Sequence, residues 1–271
     1  MKKGLLILLM LALTACGTSE EKDSVEEEKN DIPEQVTEGK VINVPEDYET
    51  ITVAIENALD GDEIIVAEGT YNEDINFEGR NIVLTSSNPT DSNVVENTII
   101  MGLGDGPVVR FENGESSDAK IAGFTITGGN YTEGGAIIIA PMTQRTSPTI
   151  TNNVFEGNVA NYGGAIYVHE SNSEITNNVF RNNHANQSGG AVFTSSNANV
   201  LITDNRFENN EADSFGGALR ITLSNPQVKN NVFTNNTAYW GGGAISVGSD
   251  ANPVFENNEY DNNTPANEDF E

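Results

Sequence analysis

The 271-residue sequence has one cysteine, two histidines (His169 and His184), one tryptophan, and 13 Lys+Arg against 41 Asp+Glu. The single cysteine excludes a disulfide framework and a cysteine-based zinc site. Two histidines exclude a three-histidine metal centre built from this chain alone. The formal net charge of −28 excludes nucleic acid as a partner, because phosphate binding needs a basic face. Hydrophobic residues, counted without glycine, make up 37%. The 26 glycines and 37 asparagines are poor helix formers and argue against a helical bundle. The apolar run Leu5 to Leu13 has nine residues, where ~20 are needed to span a bilayer.

That run follows Lys2 and Lys3 and fits the apolar core of a secretory signal peptide. It ends in Leu13-Thr14-Ala15-Cys16, which resembles the lipobox of bacterial lipoproteins. The resemblance implies cleavage before Cys16 and lipidation of that cysteine; an ordinary signal peptide with a chance cysteine is the alternative. Triacylation, also implied by the resemblance, exceeds the two-signal threshold for stable anchoring. Residues 1–15 then form the signal peptide and 16–40 an acidic tether. From Thr18 to Lys40 there are nine acids and three lysines but no aromatic, so the segment cannot bury enough surface to fold. It reads as a solvated spacer. Removing Lys2 and Lys3 leaves 11 basic against 41 acidic residues, a mature charge of −30.

Residues 41–271 are read as one domain built from repeats. Gly-Gly-Ala recurs at Gly134, Gly163, Gly189, Gly216 and Gly242, at spacings of 29, 26, 27 and 26. Asn-x-Phe/Tyr-x-x-Asn alternates with it, at Asn153, Asn178, Asn205, Asn231 and Asn258. The unit holds short alternating β-type runs such as Ala165-Ile166-Tyr167-Val168, divided by Gly and Asn turns. A unit of ~26 residues with only short strands cannot close a core alone; stacking the units does so. Each strand then pairs in parallel with its equivalent ~4.8 Å along the axis. Ile137, Ile166, Val192, Leu219 and Ile245 become one inward column, and Phe155, Phe180, Phe207, Phe233 and Tyr260 another. The asparagines become turn ladders, with Asp204 read as a ladder member. Residues 50–59 read as a short helix covering the open end of the stack. The expected fold is all-β, a single-stranded right-handed parallel β-helix of roughly eight coils with a short N-terminal capping helix.

Val44-Pro45-Glu46-Asp47-Tyr48-Glu49-Thr50-Ile51, Gly61 to Val66, Gly69 to Glu73, and Gly123-Phe124-Thr125-Ile126-Thr127-Gly128-Gly129 resemble segments of pectin-lyase-like β-helix proteins. Gly-Gly-Ala-Ile/Val/Leu alternating with Phe-x-x-Asn is similar to the repeats of chlamydial-type polymorphic outer membrane proteins. That resemblance implies a surface adhesin. The autotransporter barrel that ends such proteins is not expected after Asn263, where no alternating ten-residue segments follow.

For catalysis, the coil region offers Arg181, Arg206, Arg220 and Lys229 as bases, with no dense acidic trio around them in sequence. The Asp-Asp and Gly-His-Gly pieces expected of polygalacturonase relatives are missing, and His169 and His184 read as surface residues. The chain is therefore read as a non-catalytic surface lipoprotein for adhesion or glycan binding. A polysaccharide lyase or related carbohydrate-active enzyme is the alternative. The candidate ligand surface is the column one residue past the inward Ile/Val/Leu, namely Ile138, Tyr167, Phe193, Arg220 and Ser246, joined by Tyr162, Phe215 and Trp240 before the Gly pairs. These side chains either form an open aromatic row or are covered by neighbouring loops. No cofactor is expected. Ca²⁺ has no EF-hand-type ligand run to support it, and the acidic excess reads equally as a solubility device or salt adaptation. The partners expected are a membrane through the lipid anchor, and a polysaccharide or a host or neighbouring surface protein. The location expected is the bacterial cell envelope, with the domain extracellular or periplasmic.

Overall fold

The structure is a computed structural model and describes residues 39–270. The signal peptide, Cys16 and nearly all of the tether lie outside the described residues. From Val41 onward the chain winds into a parallel β-helix. A first sheet stacks nine strands, from Val41–Val44 to Val254–Glu256. A second stacks eight, from Gly69–Asn72 to Glu259–Asp261, and a third eight, from Ile75–Asn76 to Glu268–Phe270. At ~4.8 Å per strand the first sheet runs about 40 Å along the axis.

The two inward columns form in the expected register. Ile137, Ile166, Val192, Leu219 and Ile245 pair in sequence along the third sheet. Phe155, Phe180, Phe207, Phe233 and Tyr260 pair along the second. The four phenylalanine rings are fully buried and stack at 4.7–4.8 Å between centroids, within 8° of parallel. One continuous apolar core runs from Ile42 to Val247.

The Asn pairs divide their labour. The first member takes the left-handed conformation that the turn requires, as at Asn152, Asn177, Asn230 and Asn257 (φ 52–55°). The second is buried and builds the ladder. Asn178 Oδ1 accepts from the backbone N–H of Asn153 at 2.9 Å, and Asn178 Nδ2 donates to the Ile150 carbonyl at 2.9 Å. Asp204 (φ 57°) belongs to the left-handed column, not the ladder, because short polar side chains tolerate that region. The ladder position in its coil is Asn205. Both glycines of each Gly-Gly turn are required. Gly216 has φ 68°, and a Cβ on Gly217 would lie 2.2 Å from the Gly243 carbonyl oxygen one coil on.

Helix α1 (Ile51–Asn57) is N-capped by Thr50 and buries Ile51, Ala54 and Ile55 in the core at the first coil. The carboxylate of Glu73 accepts from the N–H groups of Ile51 and Thr52. The helix is shorter than 50–59 because Ala58 is already extended. Two features were not anticipated. Helix α2 (Ser92–Asn97) precedes the strand Thr98–Met101. A fourth sheet of five strands (Asn130–Glu133, Val159–Tyr162, His184–Ser188, Glu211–Ala212 and Thr237–Ala238) lies between the second sheet and the Gly-Gly turns.

Candidate functional site

Ile138, Tyr167, Phe193, Arg220 and Ser246 lie in one row on the outer face of the third sheet, as the register requires. The row is not open. Tyr167 and Phe193 are each 9% exposed and Arg220 8%. Ile138, Tyr167 and Phe193 form a second apolar cluster with Tyr162 packed against it. Tyr162 comes from the fourth sheet; its ring meets Phe193 edge-on at 5.1 Å and its hydroxyl bonds to Gln187 Oε1. The Arg220 guanidinium lies 4.9 Å over the Phe215 ring and donates to Ser246 Oγ. Tyr162 and Phe215, expected to extend the platform, instead pack over it. Burial pushes the Tyr167 phenol above its ordinary pKa, partly opposed by its hydrogen bond with Ser195. Ser195 Oγ also lies 3.2 Å from His169 Nδ1, so His169 is tied into this network rather than being a free surface residue.

Trp240 stands apart. It is 66% exposed, and its ring meets that of Tyr239, itself exposed, edge-to-face at 4.9 Å. The two line a cavity of about 500 Å³ with Glu211, Asp213 and Thr237. Backbone bonds from Tyr239 N–H to the Ala212 carbonyl and from Trp240 N–H to the Ser214 carbonyl hold the pair against the coil before it. Sequence reading found Trp240 but missed Tyr239, whose equivalents in earlier coils are not aromatic.

Of the other cations, Arg206 pairs with Glu208 and Lys229 with Glu256. Arg181 bonds Glu156 at 2.9 Å and lies 4.0 Å from Glu96. It lines a cleft of about 260 Å³ against α2 with Glu96, Asn152 and Asn177, and its buried Nε has no hydrogen-bond partner among the described residues. Stacked side chains fill the interior of the coil. Among the described residues, His184, Glu211 and Asp213 form the one group offering three potential metal ligands close together. Within them no helix is long and apolar enough to cross a membrane.

No curated protein matches the sequence. Two solved structures match the fold, both of the pectin methylesterase from Aspergillus niger. The penultimately deglycosylated form aligns with a TM-score of 0.52 at 13% identity, covering 86% of this chain and 89% of that one. The deglycosylated form aligns with a TM-score of 0.47 at 14% identity and the same coverage. At such identity the likeness is one of architecture. The sequence itself matches the family described as right handed beta helix region over residues 109–267, more than half of the chain. That match supplies the hand of the coil, and the chain belongs to this right-handed β-helix family.

Proposed function

We propose that the protein is a non-catalytic lipoprotein of the bacterial cell envelope, whose β-helix presents a glycan-binding surface centred on Tyr239 and Trp240. The observation that carries this reading is the exposed aromatic pair over a cavity lined by Glu211, Asp213 and Thr237. An open indole face suits the apolar face of a sugar ring. Two carboxylates and a hydroxyl beside it accept from, and bond to, sugar hydroxyls. The same carboxylates repel a uronate, so the ligand is a neutral or amino sugar. The buried Arg220 is not available to pair an acidic chain. The resemblance of the repeats to those of polymorphic outer membrane proteins, and of Leu13 to Cys16 to a lipobox, supports surface display. Binding of the parent and of Tyr239→Ala/Trp240→Ala to a glycan array tests it. Loss of binding by a folded double variant is expected; unchanged binding overturns the site.

The alternative of a carbohydrate-active enzyme rests on the Arg181 cleft. The guanidinium there lies near two carboxylates, Glu96, which lines the cleft with it, and Glu156. Formation of unsaturated product from polygalacturonate by the parent, abolished in Arg181→Ala, would establish the enzyme reading over the binding one.

A further inference from the structure

We infer that His184, Glu211 and Asp213 form a binding site for a divalent transition metal ion of the zinc class at the edge of the Trp240 cavity. His184 and Glu211 are direct register partners on adjacent strands of the fourth sheet. Asp213 follows Glu211 by two residues and so shares its face. His184 Nε2 lies 3.0 Å from Asp213 Oδ1, and one ligand atom from each residue falls within 4.8 Å of the others. The backbone beneath is fixed. The N–H groups of His184, Glu211 and Asp213 donate to the carbonyls of Asn158, Asn183 and Ala185, each at 2.9 Å. Three donors on such a rigid ladder are preorganised, which limits the entropy lost on capturing an ion.

The donor set selects the class of ion. Imidazole suits zinc and its neighbours, whereas calcium seeks six to eight oxygens. One nitrogen and two carboxylates fall short of a calcium shell but match the three protein ligands of an open zinc site. The two carboxylates offset the charge of a divalent ion. To ligate it, neutral His184 presents the Nε2 lone pair and keeps its proton on Nδ1. Glu211 and Asp213 also line the cavity, so the ion's remaining positions face that space. The site stands whether or not the cavity takes a sugar.

Calorimetric titration of the full chain with Zn²⁺, and separately with Ca²⁺, tests the site. Losing a second-shell partner of a metal already costs about 10–100-fold in affinity. His184→Ala and Asp213→Asn should therefore each weaken Zn²⁺ at least tenfold while far-UV circular dichroism stays unchanged. Trp240→Ala should leave Zn²⁺ binding intact, which separates this site from the sugar reading. Co²⁺ should give a visible d–d spectrum in the parent that His184→Ala removes. If Zn²⁺ does not saturate a site in the parent, or binds the parent and His184→Ala alike, the trio is an ordinary surface ion pair and the inference fails.

Discussion

Replacing Asn210 with alanine tests the ladder that closes each coil. The side chain is fully buried. Its Oδ1 accepts from the Asn183 backbone N–H at 3.1 Å and from Asn183 Nδ2 at 3.0 Å. Its Nδ2 donates to the Phe180 carbonyl and to Asn236 Oδ1, both at 2.9 Å. Alanine removes all four bonds and strips the Asn183 N–H of its ladder acceptor. Leaving a buried donor unsatisfied costs about 1–3 kcal/mol, and each further net bond lost about 0.5–1.5 kcal/mol. Counting one orphan and three further bonds, the loss is about 2.5–7.5 kcal/mol. The neighbour Asn209 is exposed and has φ 54°, so Asn209→Gly keeps the turn and should stay within about 0.5 kcal/mol of the parent. Urea unfolding followed by circular dichroism reads both variants as midpoint shifts at constant slope. An Asn210→Ala variant within 1 kcal/mol of the parent refutes the ladder as a source of stability.

In the same assay Phe207→Ala, which breaks two ring stacks and opens the core, should cost about 3–5 kcal/mol, and Glu208→Gln under about 0.5 kcal/mol. The reverse order would place the register one residue off. Tyr167 and Tyr260 both have phenol pKa values raised, first by burial, and Tyr260 further by its hydrogen bond to and the charge of Glu268. Because the folded state holds these protons more tightly, their contribution is complete below pH ~10 and is lost as pH rises through the folded-state values. Urea unfolding between pH 9 and pH 11 should show falling stability with a shallower slope in Tyr260→Phe; an equal slope refutes the coupling. Cys16→Ala should shift the protein from the detergent phase to the aqueous phase or block its processing, and equal partitioning of variant and parent removes the anchor from the proposal.

The columns were legible because each demands the same residue type in every coil. The bulky Phe and Ile/Val/Leu columns, the Asn pairs and the Gly pairs all repeat for a steric or hydrogen-bonding reason that recurs every ~4.8 Å. The fourth sheet was not legible. Its strands, such as Val159-Ala160-Asn161-Tyr162 and His184 to Ser188, are short and polar and lack a hydrophobic alternation. Helix α2 hid for a similar reason: Ser92 to Asn97 holds weak helix formers and depends on the Asp91 cap and the burial of Val95. The outer row of the third sheet was placed on the correct face, but its covering by Tyr162 and Phe215 could not be read, since it depends on how the fourth sheet lies.

That fourth sheet explains where chemistry can vary on an otherwise uniform coil. Its inward position is alanine in the last four strands, at Ala160, Ala185, Ala212 and Ala238, the first three almost wholly buried, while the first strand carries the exposed Tyr131 there. Its outward positions carry no such demand. The backbone ladder alone fixes the strand, through bonds such as Thr237 N–H to the Asn210 carbonyl, whatever side chain projects. The outward residues accordingly change from coil to coil. One column reads Val159, His184, Glu211 and Thr237, and the next includes Asn161, Asp213 and Tyr239. A substitution there leaves the core and both Asn ladders intact, so it alters recognition at little cost in stability. The carboxylates, the imidazole and the exposed aromatic pair all fall on this tolerant strip. The repeats themselves hold it rigid.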